Sequence, residues 1–199
     1  MDAGLTTRLR TERLELRPPS GRDVQELSAL LRANAEHLRP WDPSPPPGVD
    51  LAAPAQVRAR IEAWRRDWRA GLGYGLLICS REPGRPILGH ARLSNVVRGA
   101  FHNAYLGYWI AAERQGRGLM TEAVGATVDF AFGPPGLHRV QAAILPRNGA
   151  SRRVLEKAGF RPEGLARRYL AIAGAWEDHA LYALTVEDRE RRAGAPGTL

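Results

Sequence analysis

Tyr105-Leu-Gly-Tyr-Trp-Ile-Ala-Ala-Glu-Arg-Gln-Gly-Arg-Gly-Leu-Met-Thr-Glu-Ala123 decides how this 199-residue chain is read. A strand-like run, Tyr105 to Ile110, leads into Gln115-Gly-Arg-Gly118, and an apolar helical pattern begins at once with Leu119. Two glycines at such a junction remove Cβ atoms where backbone must come close to a ligand. The first N–H groups of the following helix lack a carbonyl partner and carry the positive end of its dipole. Together these features make an anion cradle, most naturally for a phosphate or pyrophosphate. A glycine pair alone also fits a plain turn before a core helix. No G-x-x-x-x-G-K-[ST] is present, and the glycines fail the G-x-G-x-x-G spacing, so the commoner phosphate motifs are excluded.

Upstream, Arg13-Leu14-Glu15-Leu16-Arg17 alternates polar and apolar as a half-buried strand does, and Pro18-Pro19 stops it. Ser20-Gly-Arg-Asp23 resembles a capping box opening a helix with Val24, Leu27 and Leu31 on one face. Pro40–Gly48 is too proline-rich for regular structure and reads as a loop. A second helix carries Val57, Ile61, Trp64 and Trp68 at helical spacing, facing a core. Strands follow at Tyr74–Ser80, Ile87–Val97 and Phe101–Ala111, with turns at Pro83-Gly84 and Arg98-Gly99.

The helix Leu119–Phe132 ends at Gly133-Pro-Pro-Gly136, with Leu119, Ala123, Ala126 and Phe130 in one apolar line. Arg139–Leu145 is a short strand, Ala150–Ala158 a helix stopped by Gly159, and Phe160–Ile172 and Trp176–Leu184 two last strands. From Glu187 the chain is charged and expected to fray. The order predicts one α/β domain over residues 1–199, a mixed sheet flanked by helices. Its core runs from about residue 9 to 188, and 189–199 form a charged tail.

Gln115, Gly116, Arg117 and Gly118 resemble the Q/R-x-x-G-x-G/A signature of the GCN5-related N-acetyltransferases, the GNAT superfamily. The stretch Asn148-Gly-Ala-Ser151-Arg-Arg-Val154-Leu155-Glu-Lys-Ala-Gly159-Phe160 looks like the coenzyme-A-side helix of the same family, and it lies in the expected order. Phe101–Tyr108 and Tyr169–Tyr182 resemble its RimJ/RimL branch, the ribosomal-protein-alanine N-acetyltransferases. Met120 departs from the general motif, which has Gly or Ala there, but it matches the branch.

The resemblance implies a GNAT fold and transfer of acetyl from acetyl-CoA to an amine. The pantetheine arm then lies beside Trp109, Ile110 and Ala111. The pyrophosphate lies on Gln115, Gly116, Arg117, Gly118, Leu119, Met120 and Thr121. Asn148, Ser151 and Leu155 complete the cofactor side. The Ile110 N–H faces the thioester carbonyl as an oxyanion donor, and Ser151 is the candidate general acid for the departing thiolate. Read as residues alone, Asn148 or Ser151 equally caps its helix. Relatives often carry Glu where this chain has Tyr105, so a water relay ordered by Asp178 or His179 is expected to serve as base. His179, in a strand, equally suits a structural role.

The implied acceptor is a protein N-terminus, that of a ribosomal protein beginning with Ala or Ser. A small amine and a non-catalytic ribosome-bound module are the alternatives. The substrate-choosing loops are Pro40–Pro54 and Gly164–Ala175.

The formal charge of +8 does not point to DNA, because the arginines are spread along the chain in short doublets, and Lys157 is the only lysine. His90, His102 and His138 are not spaced as a metal cluster, and no metal is expected. Cys79 is the only cysteine and sits in an apolar run, which fits a buried thiol and excludes a disulfide framework. No leader or membrane-spanning run is evident, so a cytoplasmic protein is expected, monomer or homodimer.

Overall fold

Alternating apolar residues make the sheet, and glycine-stopped apolar helices cover it. In a computed structural model, residues 4–194 are described. Strands β1 (Leu9–Arg10), β2 (Leu14–Arg17), β3 (Tyr74–Ser80), β4 (Ile87–Val97), β5 (Asn103–Ile110), β6 (Arg139–Ile144), β7 (Arg161–Ile172) and β8 (Ala175–Thr185) form one sheet, in the order β1-β2-β3-β4-β5-β6-β8-β7. All neighbours are antiparallel except β5 and β6, which the crossover through a helix makes parallel. The sheet is therefore mixed, as expected. The two-residue β1 was not anticipated, because so short a strand carries no periodicity.

Helices α4 (Leu119–Phe132) and α5 (Gly149–Ala158) cover one face. There Ala123, Val124 and Val128 of α4 and Leu155 of α5 join Leu76, Ala91, Leu106 and Val140 of the sheet in the larger core. Helices α1 (Val24–Ala33) and α3 (Pro54–Ala70) cover the other face, with the four-residue α2 (Ala35–Leu38) between them. Val24, Leu27, Val57 and Ile61 pack there on Leu77, Cys79 and Ile87. Val57, Ile61, Trp64 and Trp68 are all buried, so the spacing read in α3 is its core face. Trp64 lies flat against β3 only because residue 75 is glycine: a Cβ there would sit 2.5 Å from the indole. Cys79 is buried, and desolvation pushes its thiol up to about 11, which fits an inert core residue.

Besides shifts of one or two residues at several strand and helix ends, two differences from expectation have a clear physical cause. Ser20–Asp23 does close on itself, with the Ser20 N–H donating to Asp23 Oδ2 at 2.6 Å, but Gly21–Asp23 forms a 3₁₀ turn before α1 begins at Val24. The chain end expected to fray is instead helix α6 (Val186–Gly194). Its Asp188 is buried against Arg161 at 2.8 Å and Arg191 at 2.5 Å, and Arg189 grips both carboxylate oxygens of Asp129 at 2.8 Å. These charge-assisted bonds hold a helix that composition alone marks as loose. The rest of the expected tail, residues 195–199, lies outside the described residues.

Candidate active site

The sheet opens where β5 and β6 part. Their pairing covers only Asn103↔Arg139, Ala104↔Val140 and Tyr105↔Gln141. Beyond Tyr105, β5 stays registered with β4 as far as Ile110, and β6 with β8 as far as Ile144. Between the parted strands lies a wedge with unpaired edges. The Ala111 N–H donates to Leu88 O at 2.8 Å, so by the alternation of an antiparallel ladder the N–H groups of Tyr108 and Ile110 turn away from β4, into the wedge. Gly107 is exposed there, with open space where a Cβ would stand. An extended amide chain entering the wedge meets strand-like donors and acceptors, which is the role expected of Trp109, Ile110 and Ala111.

At the mouth of the wedge, Gly116 and Gly118 both lie in the left-handed region, with φ of +72° and +76°. A non-glycine side chain there is strained. The first hydrogen bond of α4 runs from the Glu122 N–H to Gly118 O at 3.1 Å, so Leu119, Met120 and Thr121 have no intrahelical acceptor for theirs. Gln115 is less available than expected: its N–H is taken by Ala112 O at 3.2 Å, and its side-chain amide lies 2.9 Å from His37 Nε2. The cradle's donors therefore begin after Gln115. The side chains of Leu119 and Met120 are buried, and Arg117 is exposed, so the first two offer an anion only backbone.

Arg13 braces this cradle, which sequence reading missed. Its guanidinium donates to Arg117 O at 2.8 Å and to Glu122 Oε2 at 2.7 Å through Nε, while the Arg13 N–H donates to Glu122 Oε1 at 2.9 Å. Burial works to raise the Glu122 carboxyl, but its bonds from Thr11 and Arg13 outweigh burial and hold it below the ordinary range. A second brace comes from Asn34, buried after α1, whose Oδ1 accepts the Ala112 N–H at 2.9 Å. No local pattern joins residues so far apart in sequence.

On the far side of the wedge, Asn148 Oδ1 accepts the Ser151 N–H at 3.0 Å, so Asn148 is the N-cap of α5. Capping satisfies one orphan donor, and it also fixes the turn that carries Ser151. Ser151 Oγ lies 2.8 Å from the phenol oxygen of Tyr108, which reaches over from β5. Burial, only partly offset by this bond, pushes the Tyr108 phenol well above the usual phenol range. Leu155 does not line the site as expected. It has no exposed surface and belongs to the larger core, because α5 turns that face onto the sheet.

The opposite face offers no strong base among the residues singled out. The Tyr105 and Tyr169 phenols lie together, and burial followed by the Tyr105 neighbour pushes Tyr169 up. His179 is buried, stacked obliquely on Tyr169 at 5.5 Å, with Nδ1 3.0 Å from Glu177 O, which makes it a structural histidine. Asp178 accepts the Arg168 N–H at 2.8 Å, at the point where the β7–β8 register slips and Arg168 takes a φ of +49°. That bond engages Asp178 in holding the bulge. No hydrogen bond or ion pair among the described residues brings it to Ser151.

Comparison with known proteins identifies the family and the fold. The family model described as an acetyltransferase (GNAT) domain matches residues 13–161. The ribosomal protein uS5-alanine N-acetyltransferase of Escherichia coli (strain K12) is 36% identical over 195 residues, covering 91% of this chain and 92% of that one. Among solved structures, Mycobacterium smegmatis RimJ in complex with CoA-disulfide superposes with a TM-score of 0.81 at 36% identity, covering 88% of this chain and 83% of that one. The ribosomal-protein-S5-alanine acetyltransferase from Vibrio fischeri gives 0.84 at 32% identity, covering 92% and 98%.

Proposed function

The chain belongs to the GNAT acetyltransferase family, and from that premise we propose that its acceptor is the N-terminal α-amine of a ribosomal protein beginning with Ala or Ser. The donor is acetyl-CoA. What carries the reading is the wedge between β5 and β6 with the two left-handed glycines at its mouth. An extended pantetheine arm matches the first, and a pyrophosphate matches the second.

Gly116 and Gly118 open the cradle, and the N–H groups that follow hold the phosphates. Ile110 directs its N–H toward the thioester oxygen, where negative charge develops on attack. Ser151, fixed by Asn148, gives a proton to the departing sulfur. The amine must be neutral to attack. A free α-amino group has a pKa of roughly 7.7–8.0, against ~10.4 for lysine, so an α-amine reaches the neutral form without a strong side-chain base. That suits a site with Tyr105 where relatives often carry Glu. A water relay takes the amine's proton, with Asp178 at its outer end.

Two of the relatives are named for acetylating alanine of ribosomal protein S5, which supports the acceptor class; with such a substrate the enzyme would work in the cytoplasm, as a monomer or homodimer. The test offers three acceptors: a peptide with a free N-terminal Ala or Ser, the same peptide N-blocked with an internal lysine, and a set of small amines. Acetylation of the free N-terminus, located by mass spectrometry, is expected to dominate. Faster modification of the blocked lysine peptide, or turnover confined to small amines, overturns the acceptor while leaving the acetyltransferase.

A further inference from the structure

Tyr108 and Ser151 come from opposite walls of the wedge. Tyr108 lies on β5 beyond the last residue paired with β6, and its side chain projects to the face covered by α4 and α5. Ser151 lies in the first turn of α5, its backbone anchored by Asn148. The phenol oxygen is 2.8 Å from Ser151 Oγ and 3.3 Å from the Ser151 carbonyl. The shorter contact is with the hydroxyl, and that phenol is the partner found for Ser151 Oγ among the described residues. A hydroxyl has one proton and rotates to suit its neighbours, so whichever group donates to it decides where its own proton points.

We propose that Tyr108 is a positioning residue for acetyl transfer: its phenol donates to Ser151 Oγ, which turns the serine proton toward the thioester sulfur. The proposal rests on Ser151 being the proton donor. As the amine nitrogen bonds to the acetyl carbon, the C–S bond breaks and its electron pair stays on sulfur. Ser151 passes its proton to that sulfur, and the Tyr108 donor stabilises the charge left on Oγ. The proton lost by the attacking amine, carried by water, restores the serine hydroxyl. The products are amide and thiol, with both side chains unchanged. Burial supports this role, because it keeps the phenol protonated throughout the working pH range.

The experiment is a double-mutant cycle of Tyr108→Phe, Ser151→Ala and both together. Each is measured for kcat, acetyl-CoA KM, coenzyme A Kd and melting temperature. Tyr108→Phe keeps the ring that packs on the core and is expected to melt near the wild type. It should lower kcat on the order of tenfold, the effect of losing about one hydrogen bond in the transition state, with Kd within about twofold. In the Ser151→Ala background it should cost nothing further, since there is no hydroxyl left to orient. An undiminished kcat in Tyr108→Phe, with Ser151→Ala impaired, overturns the positioning role and leaves the serine as acid. An unimpaired Ser151→Ala overturns the acid itself. Multiplying losses in the double variant also overturn the proposal, because Tyr108 then acts independently of Ser151.

Discussion

Trp109 donates its indole N–H to Nδ1 of His90 at 2.8 Å, across the antiparallel pair β4 and β5. The same imidazole meets the Trp64 ring edge-on at 4.9 Å. Accepting at Nδ1 requires the neutral ring with its proton on Nε2. Burial, then the positive charges of Arg60 and Arg92, push His90 down to about 3. Its folded form is therefore depressed below the ordinary value of about 6.5.

The sign of the pH effect follows. Above about pH 6.5 both folded and unfolded chains carry a neutral His90, and it adds no pH dependence. As the pH falls below that value the unfolded chain takes up a proton that the folded one refuses. Stability then declines, with a slope of up to about 1.4 kcal/mol per pH unit. His90→Gln retains an acceptor for Trp109 and should flatten that part of the stability curve. Urea titrations at pH 7, 6, 5 and 4 check it, and parallel curves for the two proteins count against a neutral His90.

Gly118→Glu puts a side chain and a negative charge at a left-handed position in the cradle. Coenzyme A stabilises the folded wild type by mass action and should raise its melting temperature. The folded variant should show no such rise. A normal thermal shift removes the cradle from the cofactor site.

Asn34→Ala removes the acceptor of the Ala112 N–H and detaches the end of α1 from the segment leading to the cradle. An unpaired backbone donor at a part-buried site costs about 1–3 kcal/mol. A lower melting temperature together with a raised coenzyme A Kd is expected. If calorimetry shows unchanged cofactor affinity, Asn34 braces the fold alone.

Leu155→Ala separates packing from contact. A fully buried leucine cut to alanine costs about 2–5 kcal/mol, and the loss should appear in denaturant melts. The acetyl-CoA KM should stay near the wild-type value in the folded fraction. A selective rise in KM without destabilisation restores Leu155 to the cofactor site.

These outcomes also mark which features a linear reading reaches. Helix α4 begins and ends at the residues its glycines and apolar line indicate, because both stops are local. The glycine turn ahead of it, with Gly116 and Gly118 at positive φ, was legible for the same reason. Capping spans only three residues, so the sequence offered Asn148 and Ser151 alike as caps of α5, and the structure gives that role to Asn148. Tyr108 was visible in the motif, but its meeting with Ser151 depends on how β5 parts from β6, which no spacing encodes. Arg13 and Asn34 were missed because their partners lie on the other side of the chain's topology. Helix α6 was misjudged because buried Asp188 is matched by Arg161 from another strand.

The Arg13–Glu122 pair has an electrostatic consequence for the cradle. A carboxylate in the first turn of α4 sits among the N–H groups meant for phosphates, and bare it would repel them. Arg13 cancels that charge at 2.6 Å, so an incoming anion meets the helix end with the repulsion masked. Arg13→Ala does more than loosen a loop: it uncovers a negative group there and inverts the local field. Coenzyme A affinity in that variant should fall and become more dependent on salt, and Glu122→Gln in the same chain should recover part of it. The turn between β1 and β2, which carries Arg13, is thus expected to set the polarity of the proposed cradle.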